Sequence, residues 1–178
     1  MKIAVIGYSG SGKSTLARFL GKHYHIPVLH LDRIHWLPGW KERPLEKEKL
    51  LVNQFMDKYP SWVIDGNYHK LFYKHRMEEA DKIIFMNFNR FSCFLRAASR
   101  YFRYRGKTRT CMGKGCTEKL DFAFAKWILY EGRTKKYVKR YQAVCRKYSK
   151  KTVIVKNQRE LNRLIKSFSV PFLGNIQP

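Results

Sequence analysis

A glycine-rich stretch near the N-terminus, GYSGSGKST at residues 7–15, restricts the possible folds more than any other part of the sequence. It follows the apolar run IAVI and precedes LARFL, whose apolar residues have helical spacing. The stretch matches the pattern G-x-x-x-x-G-K-[ST] of a phosphate-binding P-loop through Gly7, Gly12, Lys13 and Ser14. Because a strand is expected before it and a helix after it, the stretch predicts a nucleotide-phosphate site.

The residue types in the loop indicate how that site would work. Backbone N–H groups and the positive end of the following helix would surround the α- and β-phosphates. Lys13 would reach the β and γ oxygens as a catalytic residue, the Ser14 hydroxyl would be a Mg²⁺ ligand, and Thr15 would lie near the α-phosphate. The predicted ATP-binding residues of the loop are Gly7, Ser9, Gly10, Ser11, Gly12, Lys13, Ser14 and Thr15.

Short apolar runs alternate with helical patterns along the rest of the chain. Strands are predicted at residues 2–6, 28–31, 62–64, 82–88 and 152–155. Helices are predicted at about 14–24, 44–59, 90–104, 118–148 and 158–168. This alternation predicts an α/β protein with a three-layer α/β/α P-loop NTPase fold and a five-stranded parallel sheet. With 178 residues, the chain is expected to form a single domain.

Two carboxylates directly follow predicted strands, at the end of an open parallel sheet where ligands bind. Asp32 follows VLHL, and Asp65 follows WVI. One of them can hold the Mg²⁺ shell, and the other can orient or deprotonate an acceptor hydroxyl, as phosphoryl transfer requires. Each could instead cap a helix or a turn, where aspartate is common. Position alone leaves the division of roles open.

The chain is strongly basic, since 37 Lys and Arg residues against 13 Asp and Glu residues give a net charge of +24. The excess is concentrated, because residues 82–116 and 132–159 contain no carboxylate. Such a field attracts polyanions, whether nucleotides, nucleic acid or an anionic membrane surface. No apolar stretch is long enough for a signal peptide or a membrane span, so a soluble, cytoplasmic protein without a membrane partner is expected.

Arginines between the fourth and fifth predicted strands are candidates for a lid over the nucleotide. They fall in a lid-like segment at about 90–118, where a predicted helix leads into a glycine-rich piece. A lid arginine near the γ-phosphate would neutralise charge in the transition state and exclude water. Arg96 and Arg100 share a helix face and are favoured as catalytic residues, with Arg109 as an ATP contact and Arg133 as a further candidate. A solvated basic helix is the alternative.

Trp36 and Trp40 bracket a turn-like segment after Asp32 and have two possible roles. They could stack on a nucleotide base, or they could anchor the loop by packing. His30 and His35 flank the same aspartate without metal-ligand spacing and are expected to pack. We therefore predict no metal other than Mg²⁺.

Several stretches together resemble a bacterial family, the DNA topology modulation proteins, which is itself similar to adenylate and shikimate kinases. The stretches are GYSGSGKST, LDRIHWLPGW, WVIDGNY, ADKIIFMNFNR, a GC-E piece at 115–118 and TVIV. They cover residues 2 to about 166. The resemblance implies a fold of the nucleoside-kinase type, an ATP site at the P-loop, and strands in the order 2-3-1-4-5 across the sheet.

The resemblance also implies roles for the two aspartates. It places Asp65 in the Mg²⁺ shell and Asp32 beside the acceptor. The sequence departs from the Asp-Gly-Phe-Pro-Arg of adenylate kinases, because it has Asn67, Tyr68 and His69 after Asp65-Gly66. This departure argues against an AMP site of the adenylate kinase type.

Two functions are compatible with the sequence. The first is an ATP-dependent kinase that transfers the γ-phosphoryl group of MgATP to a small nucleotide-like or hydroxylated acceptor. The second is a nucleic-acid-binding protein that uses nucleotide binding or hydrolysis as a switch, with its basic surface contacting phosphates. The motifs favour the first, and the excess of positive charge favours the second. A guanine-specific GTPase is not expected, because the sequence has no N-K-x-D motif.

Overall fold

A parallel sheet of five strands forms the centre of the computed structural model, which describes residues 1–169. In chain order the strands of these residues are β1 (Lys2–Gly7), β2 (Val28–His30), β3 (Trp36–Leu37), β4 (Lys41–Glu42), β5 (Trp62–Asp65), β6 (Lys82–Met86) and β7 (Thr152–Val155). The large sheet has the order β2-β5-β1-β6-β7, with every neighbouring pair parallel. The two-residue strands β3 and β4 pair separately as an antiparallel hairpin.

The helices between these strands confirm the predicted α/β class. They are α1 (Lys13–Tyr24), α2 (Leu31–His35), α3 (Leu45–Lys58), α4 (Tyr73–Glu79), α5 (Arg90–Tyr104), α6 (Phe122–Leu129), α7 (Lys135–Lys147) and α8 (Gln158–Ser169). The hairpin β3–β4 was not predicted. When it is left out of the numbering, the order of the five sheet strands is 2-3-1-4-5, as the resemblance implied.

The burial of strand β1 shows that the sheet is covered on both faces. Successive side chains of a strand point to opposite faces, yet the four residues from Ile3 to Ile6 are all completely buried. Strand β5 is buried along its whole length in the same way. The sheet is therefore the middle one of three layers, and its core is continuous with Leu16 and Leu20 of α1. Among residues 1–169, no helix is long and apolar enough to cross a bilayer.

The prediction of one helix over residues 118–148 is wrong. The structure has α6 and α7 there, separated by a 3₁₀ turn at Glu131–Arg133. Gly132 lies at this turn, and a Cβ at that position would come within 3.0 Å of the carbonyl oxygen of Trp127. Glycine is also a poor helix former, so the break has both a packing and a propensity cause.

Residues 105–118 form a compact irregular segment between α5 and α6, which we call the cleft segment. Isolated bridges pair residue 105 with 118 and residue 108 with 117, which closes the segment at its base. The segment packs on the β3–β4 hairpin through a small apolar cluster that is separate from the main core. The cluster contains Cys111, Met112, Cys116, Trp36 and Trp40.

Candidate functional site

The loop between β1 and α1 has the backbone of a phosphate-binding turn. Its three glycines, Gly7, Gly10 and Gly12, have φ values of 140°, 78° and 98°. At Gly10 a side chain is impossible for a second reason, since a Cβ would overlap the carbonyl group of Cys93. The first N–H groups of an α-helix have no helical partner, so the start of α1 offers donors to an anion.

Two side chains from other elements fix this loop. Asn67, which follows β5, donates from Nδ2 to the carbonyl of Gly7 (2.7 Å) and accepts from the Gly7 N–H at Oδ1 (3.0 Å). Trp127 of α6 donates from Nε1 to the hydroxyl of Ser9 (3.2 Å). The loop is therefore held in place at both of these residues before any ligand binds.

Two cations lie on the loop itself. Lys13 donates from Nζ to the carbonyl of Tyr8 (2.9 Å), so its ammonium group is folded over the loop. Arg96 of α5 donates from Nη1 to the carbonyl of Ser11 (2.9 Å) and from Nη2 to Gln158 Oε1 (2.6 Å). Burial lowers the pKa of Arg96, and the nearby Cys93 opposes that change.

Arg133, a further sequence candidate, packs against Tyr8 of the loop. Its guanidinium group lies 3.7 Å from the ring centroid of Tyr8, and it donates to the carbonyl of Phe88 (2.8 Å). It is not among the residues that line the cleft. Its contacts are those of a packing residue.

A cleft of about 1650 Å³ lies beside this loop, at the carboxyl ends of the sheet strands. Pockets for a single small ligand usually measure about 300–1,000 Å³, so there is room for a nucleotide and a second molecule. The predicted site residues that line the cleft are Ser9, Gly10, Gly12, Lys13, Ser14, Thr15, Asp32, Arg96, Arg100 and Arg109. The predicted site residues that are buried outside the lining are Gly7, Ser11 and Asp65.

Asp32 is fixed by a hydrogen bond that the sequence did not predict. It lies in the first turn of α2, and its Oδ1 atom accepts from the hydroxyl of Tyr68 at 2.7 Å. Burial, followed by the proximity of Asp32, raises the pKa of Tyr68 well above its ordinary value. The phenol therefore remains a hydrogen-bond donor to this carboxylate at every physiological pH.

Asp65, the second predicted carboxylate, lies at the end of β5 with 4% of its surface exposed. Its Oδ2 atom pairs with Nδ1 of His30 at 2.9 Å. Within residues 1–169, its Oδ1 atom and the hydroxyl of Ser11 are both buried without a hydrogen-bond partner. Buried polar atoms are nearly always satisfied, so these two atoms indicate that a water, ion or ligand group belongs next to them.

Arg100 and Arg109 are brought together by a buried carboxylate, Glu118. Arg100 donates from Nε (2.9 Å) and Nη2 (2.8 Å) to Oε1 of Glu118, and Arg109 donates from Nε to Oε2. Burial, followed by the charge of Arg109, lowers the pKa of Arg100, and the contact with Glu118 opposes that change. The carboxylate thus holds both cations at the cleft, one on α5 and one on the cleft segment.

Arg76 holds the loop that carries Asn67 and Tyr68. Its guanidinium group is completely buried and donates to the carbonyls of Leu71 (2.8 Å), Gly66 (3.2 Å) and Tyr68 (3.0 Å). Burial lowers its pKa to about 10, which leaves the group charged at neutral pH. The contact with three carbonyls fixes the backbone on which Tyr68 reaches Asp32.

The tryptophans of the hairpin pack against protein. The rings of Trp36 and Trp40 lie 5.4 Å apart in an edge-to-face arrangement, and both contact the apolar cluster of the cleft segment. Trp40 also donates from Nε1 to the carbonyl of Thr117 (3.2 Å). These contacts are those of the anchoring alternative, although both rings also line the cleft. His35 likewise packs, with its Nδ1 atom 2.6 Å from Glu48 Oε1.

Some of the site residues that the sequence analysis missed could have been predicted from their position in the sequence, and others could not. Asn67 and Tyr68 directly follow Asp65-Gly66 at a strand end, so their position could have indicated a role at the site. Glu118 ends the GC-E piece of the family resemblance, but nothing in the sequence indicates that it pairs with Arg100 and Arg109, and nothing separates Trp127 from ordinary core residues. Both reach the site only through the packing of distant segments.

No protein-family model matches the chain, and no curated protein matches it either. Solved structures match over nearly its whole length. A shikimate kinase from Acinetobacter baumannii in complex with shikimate is 16% identical over 94% of this chain and 90% of that chain, with a TM-score of 0.58. A shikimate kinase from Bacteroides thetaiotaomicron is 16% identical over 95% and 96% of the two chains, with a TM-score of 0.52.

These matches show that the chain has the fold of P-loop kinases such as shikimate kinase. A deoxyadenosine kinase from M. mycoides is also similar, at 11% identity over 95% and 99% of the two chains and a TM-score of 0.48. The resemblance to the topology modulation proteins remains a prediction, because no family model matches.

Proposed function

We propose that this protein is an ATP-dependent phosphotransferase that transfers the γ-phosphoryl group of MgATP to a hydroxyl group of a small nucleotide-like or hydroxylated acceptor. One observation carries the proposal: a single cleft contains the P-loop lysine, Lys13, and the tyrosine-fixed carboxylate of Asp32. Phosphoryl transfer needs a phosphate cradle and a group that orients the acceptor in one enclosed site. The fold shared with two shikimate kinases supports the same class of reaction.

The residues present fit MgATP. When bound, it would supply the phosphoryl group, and its metal ion would neutralise the β and γ oxygens. Loop residues 9–15 would bind the phosphates through backbone N–H groups, and Lys13 would turn from the carbonyl of Tyr8 towards them. Ser14 would be a metal ligand, and the partnerless Oδ1 atom of Asp65 would contact the metal shell through water.

Asp32 would orient the acceptor hydroxyl and accept its proton. Tyr68 fixes Oδ1 of this carboxylate, so Oδ2 is the atom that would face the acceptor. A carboxylate held in one orientation loses less entropy when it aligns the attacking oxygen. The acceptor would therefore lie between α2 and the P-loop.

Three arginines would stabilise the charge that develops on the transferred group. Arg96 already contacts the P-loop, whereas Arg100 and Arg109 are paired with Glu118 at the cleft. We propose that α5 and the cleft segment, about residues 90–118, act as a short lid within one domain and bring these cations to the phosphates. Fixed cations in a site closed to water are effective at this task.

The nucleic-acid alternative depends on the net charge of +24 rather than on a particular contact. At least eight cationic side chains line the cleft itself, where a nucleotide and an anionic acceptor would use them. They are Lys13, Arg18, Arg96, Arg100, Arg103, Arg109, Lys119 and Arg140. ATP turnover that only nucleic acid stimulates would favour this alternative.

The test is γ-phosphoryl transfer from radiolabelled ATP with Mg²⁺, using a panel of nucleosides, nucleotides, hydroxylated metabolites, DNA and RNA. Asp32→Asn is expected to lower kcat by about 10²–10⁴-fold, the usual contribution of an acid–base group, while MgATP binding stays unchanged. Asp57→Asn, at an exposed aspartate of α3, serves as the matched control. ATP turnover that only nucleic acid stimulates, or transfer that survives in Asp32→Asn, would contradict the proposal.

A further inference from the structure

Helix α5 has an exposed apolar stripe, one residue of which, Leu95, also borders the cleft. Phe91, Leu95 and Phe102 are 68%, 66% and 73% exposed, and Ala98 lies between the last two. At 3.6 residues per turn, these four positions fall within roughly 60° of the helix circumference. We call these four residues the α5 stripe. The opposite face of the helix is buried, with Cys93 in the main core.

Helix α6 packs beside α5 and carries two exposed rings of its own, Phe122 and Tyr130. The guanidinium of Arg100 lies 5.9 Å from the ring centroid of Phe124, and that of Arg90 lies 5.8 Å from the ring centroid of Tyr130. The two helices therefore run antiparallel, with the start of α6 beside the end of α5. Phe122 and Tyr130 are 85% and 63% exposed.

The exposed charges on α5 beside the stripe are all positive. Arg90 and Arg105 are exposed at the two ends of α5. No carboxylate occurs anywhere in residues 82–116. An exposed apolar stripe with cationic side chains on the same helix is the pattern of helices that lie in the interface of an anionic bilayer.

We propose that the α5 stripe is a docking surface for anionic lipid bilayers. Phe91 and Phe102 would enter the boundary between headgroups and acyl chains, and Arg90 and Arg105 would contact lipid phosphates. This binding is peripheral and does not depend on the proposed phosphotransfer. It gives a use both to the apolar side chains and to the positive charge of this part of the chain.

The positive charges on α5 make a second copy of the chain a poorer partner for the stripe than an anionic bilayer. Two stripes facing each other would place arginine against arginine, and the nearby carboxylates Asp121 and Glu131 are already paired with Lys119 and Lys126. Single-stranded nucleic acid fits less well for a geometric reason. The rings of Phe91 and Phe102 are separated by eleven positions, roughly 17 Å along the axis, with Leu95 and Ala98 between them, so successive bases could not stack on them.

The experiment is cosedimentation with phosphatidylcholine vesicles made with and without phosphatidylglycerol. The wild-type chain is expected to bind the anionic vesicles and to bind the neutral ones much less. The double variant Phe91→Ser/Phe102→Ser should weaken this binding by at least about tenfold, because two large apolar side chains no longer enter the bilayer. Leu50→Ser/Ile154→Ser, at exposed apolar positions on α3 and β7, is the matched control and should bind like wild type.

A second variant tests the two arginines without touching the apolar residues. Arg90→Gln/Arg105→Gln should weaken binding to anionic vesicles by about fivefold for each arginine removed. Thermal unfolding of every variant shows whether it is folded, and the arginine variant keeps the proposal testable if the phenylalanine variant is not.

Four results would overturn the proposal. One is a wild-type chain that does not bind anionic vesicles, and another is binding that the Phe91→Ser/Phe102→Ser variant retains in full. A third is loss of single-stranded oligonucleotide binding in that variant while vesicle binding is kept, which would assign the stripe to nucleic acid. The last is a wild-type dimer in light scattering that becomes a monomer in the same variant, which would assign the stripe to a second copy.

Discussion

The P-loop and the cleft segment face the same cleft but are held by different means. The P-loop connects β1, whose residues Ile3 to Ile6 are fully buried, to α1, and Asn67 clamps its first residue. The cleft segment is held instead by its own small apolar cluster, by the pairing of Glu118 with two arginines and by hydrogen bonds to the β3–β4 hairpin. Segments with few buried contacts open at lower free energy than core elements. The difference suits the phosphate cradle and the lid that we propose.

Two glycine substitutions test this difference most strongly. Gly10→Ala places a methyl group against the backbone of Cys93, so we expect a loss of about 3 kcal/mol of stability and about 100-fold weaker MgATP binding. Gly106→Ala, in the cleft segment, meets no atom within 4 Å and should cost only about 1 kcal/mol for its positive φ. Urea unfolding and calorimetry measure both. Equal effects at the two positions would remove the distinction between the regions.

Removing Glu118 should release the cleft segment while leaving the P-loop intact. Glu118→Ala leaves Arg100 and Arg109 without their shared partner, at a local cost of about 3 kcal/mol. We expect faster hydrogen exchange of the amides of residues 105–118 and about a tenfold rise in KM for ATP. Glu46→Ala, at an exposed ion pair, is the control. Unchanged exchange in the segment would show that its apolar cluster is sufficient to hold it.

The hydroxyl of Tyr68 should matter for the rate rather than for ATP binding. Tyr68→Phe keeps the ring and removes the hydrogen bond to Asp32, so kcat is expected to fall about tenfold with an unchanged KM for ATP. Steady-state kinetics with the identified acceptor measures the effect, and Tyr101→Phe is the control. A rise in KM for ATP with a normal kcat would instead place Tyr68 on the nucleotide side of the cleft.

His69 should produce the smallest effect, visible only in acid. Burial, followed by the charges of Arg140, Arg76 and Lys136, lowers its pKa from the ordinary 6.5 to about 4. As the pH is lowered, the unfolded chain binds a proton at about pH 6.5, whereas the folded chain does not bind it until about pH 4. The free energy of unfolding therefore decreases as the pH is lowered through this window.

His69→Gln should flatten this part of the stability curve, as measured by urea unfolding between pH 7 and pH 4. The same substitution at the exposed His23 is the control. Parallel curves for wild type and His69→Gln would show that the histidine is protonated equally in the folded and unfolded chains.

The sequence predicted the regular parts of the molecule and the P-loop well, because both depend on local patterns. The run from Ile3 to Ile6 and the spacing of Leu16 and Leu20 are visible without a structure. The strand order followed from a resemblance that extends over almost the whole chain. The break at Gly132 was missed because amphipathic spacing continues on both of its sides.

The contacts that organise the rest of the site could not be predicted, since they join distant residues. Tyr68 is 36 positions from Asp32, and Glu118 is 18 positions from Arg100. Such pairs depend on how helices and loops pack on the sheet, which residue types alone do not determine. Arg100 was selected for its charge, but its pairing with a buried carboxylate emerged only from the fold.

The most direct test of the central claim is the kinetics of γ-phosphoryl transfer in Lys13→Ala. If the P-loop binds MgATP for transfer, kcat/KM should fall by about 10²–10³-fold, because a fixed cation at the developing charge is lost. Lys22→Ala, on the last turn of the same helix, should behave like wild type. Transfer that continues at the wild-type rate in Lys13→Ala would contradict the claim that this loop is the catalytic phosphate site.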